Sequence, residues 1–254
     1  MKNNKFNIQR VYHLINRYLK MHWTPVIIGT SSVVALLLVI LVLTALEGKV
    51  TDSTFFGITI PFIMLGGYLF SSLAYPELNS PVKGYFYLTL PASSLERLTA
   101  GWFMTSVLYT VFSLLVIYLL SFLLNIFEVL VMGYSFQLVD TPGADIYRIL
   151  GIYMITQTIF LTGAAYFRRF NFFKTILVLF VFSLIVSIYS GLLGQLFFSG
   201  GFQSSSFPED FIMGGTLQHF FENVFPVVAK FVFWGLLAPF FLIVTYFRIK
   251  EREV

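Results

Sequence analysis

The run Tyr85-Phe86-Tyr87-Leu88-Thr89-Leu90-Pro91-Ala92-Ser93-Ser94-Leu95-Glu96-Arg97 decides how the rest of the chain divides. Pro91 pushes Leu90 out of helical conformation, so no helix passes through this point. Ser93 followed three residues later by Glu96 is a capping-box pattern. The hydroxyl accepts from the Glu96 amide, and the carboxylate reaches back to the Ser93 amide. A new helix therefore begins here and continues through Leu95, Arg97 and Leu98 into the hydrophobic sequence beyond. A restart after a turn explains Pro and Ser without any function. The aromatic approach, the capped turn and an exposed Leu95 beside two charges add something a soluble partner can grip.

Working outward, composition sets the class. Hydrophobic residues make up 57% of the 254-residue chain, charged residues 11%, and mean hydropathy is +0.84. A soluble domain carries about 25% charged residues. The chain reads as an all-α polytopic membrane protein, a single transmembrane domain over 1–254. Six segments match the roughly 20 apolar residues needed to cross the hydrocarbon core. They are residues 25–46, 55–75, 99–127, 147–167, 175–198 and 224–247. The absence of cysteine leaves redox compartment open. A pI near 9.2 would suggest nucleic acid for a soluble chain. In a membrane protein the position of each charge matters more than the sum, and no nucleic-acid partner is expected.

Residues 1–23 lack the short apolar core and small-residue cleavage site of a signal peptide. Val11, Leu14, Ile15, Tyr18 and Leu19 share one helical face, with Arg10, His13, Arg17 and Lys20 largely on the other. The pattern predicts an N-terminal amphipathic helix lying in the headgroup region, anchored by Trp23. The alternative is an ordinary solvated lead-in. With the N-terminus inside, 13 of the 16 Lys and Arg residues fall on the cytoplasmic side. Lys49, Arg148 and Lys230 are the exceptions. Both termini are then cytoplasmic.

The apolar centres of the six segments hold no Asp, Glu, Lys, Arg or His, the usual marks of proton relays and ion paths. Lys230 lies about two turns into the last segment and can snorkel outward. There is no Gly-x-x-x-x-Gly-Lys-Ser/Thr phosphate loop and no His-Glu-x-x-His. Gly-x-Ser-x-Gly is missing too. His13, His22 and His219 are scattered. No catalytic, metal or cofactor residue is assigned, and the chain is not expected to be an enzyme. Ser183, Ser187, Gly191 and Gln195 recur every four residues on one face of the fifth segment, and Gln157 sits between Thr156 and Thr158 in the fourth. Small and amide residues of this kind pack helices together. The first reading is packing within the subunit; the sharper one is a dimer seam or a substrate path. Pro61 and Pro239 are expected to kink their helices.

The order of these parts resembles the permease subunits of ABC-2 type (type V exporter fold) ABC transporters. Tyr87–Arg97 is similar to their Leu-Pro-x-Ser segment ahead of the third span, where a short cytoplasmic coupling helix meets the ATPase. The architecture covers nearly the whole chain, but only those eleven or so residues are motif-like. The resemblance implies that Leu90, Pro91, Ala92, Ser93, Ser94, Leu95, Glu96 and Arg97 couple to a separate ABC ATPase, which holds the ATP and Mg. It also implies a dimer with a second permease copy or homologous half, and export or extrusion of an amphipathic substrate across the bilayer. The lack of a fused ATPase, and of cysteines in the long 199–223 loop, favours a bacterial cytoplasmic (inner) membrane protein. A non-conducting anchor or sensor subunit and an intramembrane lipid-modifying enzyme are the competing readings.

Overall fold

The first helix runs unbroken for 40 residues, Ile8–Glu47. Asn7 starts it in extended conformation, its side chain accepting from the Gln9 amide at 2.9 Å. Pro25 lies inside this helix and does not end it. The expected separate amphipathic helix over 1–23 is therefore corrected: from Ile8 onward it is the front half of the first long rod. Its predicted apolar face does turn inward. Val11 is buried and Leu14, Ile15, Tyr18 and Leu19 are half-buried, and this stretch packs against the start of the third helix. Protein covers part of the face that the sequence assigned to headgroups.

The computed structural model describes residues 6–79, 84, 89–135, 144–197 and 223–252. Among these residues there is no strand. Six helices are long and apolar enough to cross a membrane: Trp23–Glu47, Asp52–Ser72, Ser94–Met132, Ile146–Tyr166, Asn171–Leu192 and Phe225–Glu251. They match the six predicted segments. The expected short coupling helix is not a separate element here, because Ser94 opens a rod that continues to Met132. The aromatic approach Tyr85–Leu88, the Thr141–Gly143 turn, His219 and the 199–222 part of the long loop lie outside the described residues.

Two helices change pitch part-way, and each change has a local cause or consequence. Val232–Leu236 adopts π geometry just ahead of Pro239. Proline has no N–H for the Gly235 carbonyl, so α-helical pairing is already interrupted there. In the third helix Met104–Leu108 is also a π turn: the Tyr109 amide bonds to the carbonyls of Met104 and Ser106. The Thr105 carbonyl, freed from its α-helical donor, accepts from the Tyr153 hydroxyl at 2.7 Å. A defect in one helix has become a bond to its neighbour.

The first and last helices meet at one end of the bundle. Arg17 of the first helix pairs with Glu77 at 3.1 Å, in the short 3₁₀ turn Glu77–Asn79. Arg252, at the close of the last helix, donates to the Leu78 carbonyl at 2.8 Å. Here a terminal cluster of Tyr75, Leu78, Leu98, Leu161, Ala164, Ala165 and Ile249 packs together. Towards the other end, Leu37, Leu41, Phe55, Val116, Leu120 and Leu124 form a second core.

Candidate functional site

The capped turn is built from the backbone outward. The Ala92 amide bonds to the Leu90 carbonyl at 2.7 Å, which is the i to i+2 closure of a γ-turn centred on Pro91. Arg97 Nη2 donates to the same carbonyl at 3.2 Å. The capping box is present: the Glu96 amide donates to Ser93 Oγ at 3.2 Å, and the Ser93 amide to Glu96 Oε2 at 2.7 Å. Four hydrogen bonds among five residues thus lock the turn before the helix leaves it.

Glu96 does more than cap its own helix. Its Oε1 accepts from the Asn7 amide at 2.8 Å, and Arg10 Nη1 lies 3.9 Å away. One carboxylate therefore joins the start of the first helix to the start of the third. Sequence reading assigned Glu96 and Arg97 to pairing across a partner contact. That expectation is corrected: both are 0% exposed and are consumed inside the chain. Ala92 and Ser94 are buried as well, while Leu90 and Ser93 are half-buried. The residues that stand free are Pro91 and Leu95, the latter 45% exposed.

Sequence reading missed the partners that hold this platform. Asn7 and Arg10 reach Glu96, and beside them Arg17 ties the first helix to Glu77, all across 60 to 89 residues of sequence. A single sequence carries no sign of such pairings; Arg10 and Arg17 read as the basic face of an amphipathic helix. Between the first helix and the third lies a small cavity of about 40 Å³, bordered by Leu14, Arg17, Tyr18, Glu77 and Arg97. The Tyr18 hydroxyl donates to the Leu73 carbonyl at 3.1 Å, and burial pushes its pKa up from 10.0 to about 12.

The two membrane-centre groups of the sequence reading separate. Gln157 is fully buried at a junction of the second, third and fourth helices. Ser71 Oγ lies 3.1 Å and Thr105 Oγ1 3.0 Å from its amide oxygen. Each hydroxyl has one hydrogen, and each also contacts a carbonyl of its own helix, Gly67 at 2.9 Å and Gly101 at 3.0 Å. Exchanging amide oxygen and nitrogen by a half-turn satisfies both hydroxyls at once. Tyr68, Tyr109 and Tyr153 pack beside this junction, ring centroids 5.3 to 5.8 Å apart. Gln157 is thus an internal packing residue.

Ser183, Ser187 and Gly191 are not. All three are exposed, and a Cβ at Gly191 would meet nothing within 4 Å. Packing within the subunit, the first reading for this face, is corrected for these three; the Gln195 side chain lies outside the described part. Among the described residues no group of three His, Asp or Glu side chains could hold a metal. No family model, no curated protein and no solved structure matches the chain.

Proposed function

We propose that the chain is the membrane-spanning permease subunit of an ATP-driven ABC-2 type transporter. It exports or extrudes an amphipathic substrate, and a separate ATPase subunit docks on Pro91 and Leu95. The observation that carries this reading is the way the turn is built. An apolar shoulder stands free on a base whose charged side chains are buried and hydrogen-bonded within the chain, and it runs without a break into the 39-residue helix Ser94–Met132. A push on such a shoulder travels along continuous helix into the membrane. Apolar centres free of ionisable residues suit transport driven by ATP better than by protons. Among the described residues, ten Lys and Arg side chains belong to segments at the terminal end of the bundle and three to the other segments. That supports cytoplasmic termini in a bacterial inner membrane. The exposed Ser183–Gly191 face supports a second copy as its cover.

Leu95→Asp tests the reading. Leu95 is exposed in the subunit, so the variant should insert and fold. In a docked interface it buries an unpaired charge, which costs about 3–5 kcal/mol. The expected result is loss of the copurifying ATPase and of ATP-dependent substrate movement. A fully coupled ATPase on the Leu95→Asp protein would refute the docking role.

A further inference from the structure

Where the fourth helix ends and the fifth begins, the chain reads Arg168-Arg169-Phe170-Asn171-Phe172-Phe173-Lys174. The last helix delivers Arg248 and Arg252, one turn apart on the same face, to this corner. Arg248 lies 4.6 Å over the Tyr166 ring, and Arg252 Nη2 donates to the Tyr166 carbonyl at 3.3 Å. The segments 168–174 and 248–252 carry six basic residues and one acid, Glu251, which Arg248 holds at 2.8 Å; Glu253 follows in the sequence. Arg168, Arg169 and Lys250 are exposed and have no hydrogen-bond or ion-pair partner among the described residues. The crowding is felt: burial first, then Arg248 and Arg168, lowers the pKa of Arg252 from its ordinary value.

The aromatic residues of the turn stand outside. Phe170 is 75% exposed and Phe173 is exposed too. Phe170 has φ of 54°, left-handed backbone that a bulky side chain rarely adopts. The turn is nevertheless fixed. Asn171 Nδ2 donates to the Ser72 carbonyl at 3.3 Å, and the Lys174 amide bonds to the Phe170 carbonyl at 3.0 Å. Directly beyond, the fifth helix exposes apolar side chains on nearly every face from Ile176 to Tyr189. Acyl chains are the natural solvent for that surface, so the corner sits at headgroup depth.

We propose that this corner binds anionic phospholipid headgroups of the bilayer. Arg168 and Arg169 take the phosphate, and Phe170 and Phe173 rest among the upper acyl chains. A phospholipid presents an anionic head followed by apolar tails. The protein presents cations, then interfacial rings, then a bare apolar helix, in that order. An acidic polypeptide would match the cations but leave the rings and the helix uncovered. The inference goes beyond the permease reading and holds whether or not an ATPase docks elsewhere.

The test is native mass spectrometry of the full chain released from detergent with added phosphatidylglycerol or phosphatidylcholine. The wild type should retain phosphatidylglycerol in preference, and Arg168→Gln/Arg169→Gln should reduce that preference by about fivefold per charge removed. Lys230→Gln, at the other end of the bundle, should leave it unchanged. Both arginines are exposed and unpartnered among the described residues, so the double variant should elute and melt as the wild type does. Equal retention of the two lipids by the wild type would overturn the proposal. So would unchanged selectivity in the double variant, or displacement of bound lipid by millimolar glycerol phosphate, which would mark a soluble-phosphate site. A variant that keeps its lipid selectivity but loses a protein partner would overturn it in favour of a protein interface.

Discussion

The fourth and fifth helices are consecutive in the chain and opposite in surroundings. In the most apolar stretch of each, 56% of the fourth helix is buried and 6% of the fifth. Mean hydropathy runs the other way, 1.4 against 2.3. In water the greasier helix would be the core. In a bilayer the greasy helix gains nothing by hiding from lipid, while hydroxyl and amide groups must find partners inside protein. Gln157, Tyr153, Thr156 and Thr162 all bond to other helices, Thr162 Oγ1 reaching Thr245 at 2.9 Å. The polar helix is central because it is polar.

The sharpest way to break this contrast is a pair of glycines. A Cβ at Gly67 would strike the Tyr153 and Tyr109 rings, whereas one at Gly191 would enter open space. Gly67→Ala should destabilise the subunit by about 1–3 kcal/mol through overpacking. Gly191→Ala should stay within about 0.5 kcal/mol. Thermal melts in detergent decide between them, and equal losses would mean that the fifth helix is as enclosed as the contact between the second and fourth helices. Gly191→Cys sharpens the point, since the chain has no other cysteine. If a second copy covers this face, oxidation yields a crosslinked dimer; a face covered by lipid alone yields none.

Gln157→Leu should cost about 1–2 kcal/mol, the scale of interhelical hydrogen bonds in membranes. The loss is moderate because Ser71 and Thr105 keep their own-helix carbonyls. A melt indistinguishable from the wild type would remove Gln157 from the junction. Ser93→Ala should cost about 1 kcal/mol by removing one cap. Glu96 still holds the Asn7 and Ser93 amides, so ATPase coupling should weaken mildly rather than vanish. Release of the first helix from the third in this variant, read as protease cleavage near Arg10, would show that Ser93 and not Glu96 is the main clasp.

Much of the fold was legible because each relevant signal is local. Twenty apolar residues announce a helix that can cross a bilayer, and Ser93 with Glu96 announces a cap whatever surrounds it. The site was legible only in outline. Burial of Glu96 and Arg97 depends on Asn7 and on the Leu90 carbonyl, and no spacing rule joins residues 7 and 96. The face through Ser183, Ser187 and Gly191 was visible as a face, but four-residue spacing does not say whether a neighbour lies inside or outside the subunit. The junction of the first helix was misread for a simpler reason. The change from an amphipathic pattern over 1–23 to an apolar run from 25 reads as two elements, yet a helix tolerates proline near a membrane boundary when neighbours and water satisfy the freed carbonyl.

That uninterrupted first helix behaves as a stiff rod. Forty residues at 1.5 Å each make it about 60 Å long. Clasped to Glu96 at one end, it shares a mechanical coordinate with the third helix, so tilting the capped turn also swings the first. A rotation of about 5° about the midpoint of a rod that long displaces each end by about 2.6 Å. The rod has one compliant joint, where Pro25 leaves the Met21 carbonyl without its helical donor. The joint lies close to where the helix enters the hydrocarbon. Its stiffness sets what fraction of a swing outside the membrane arrives as a swing within it.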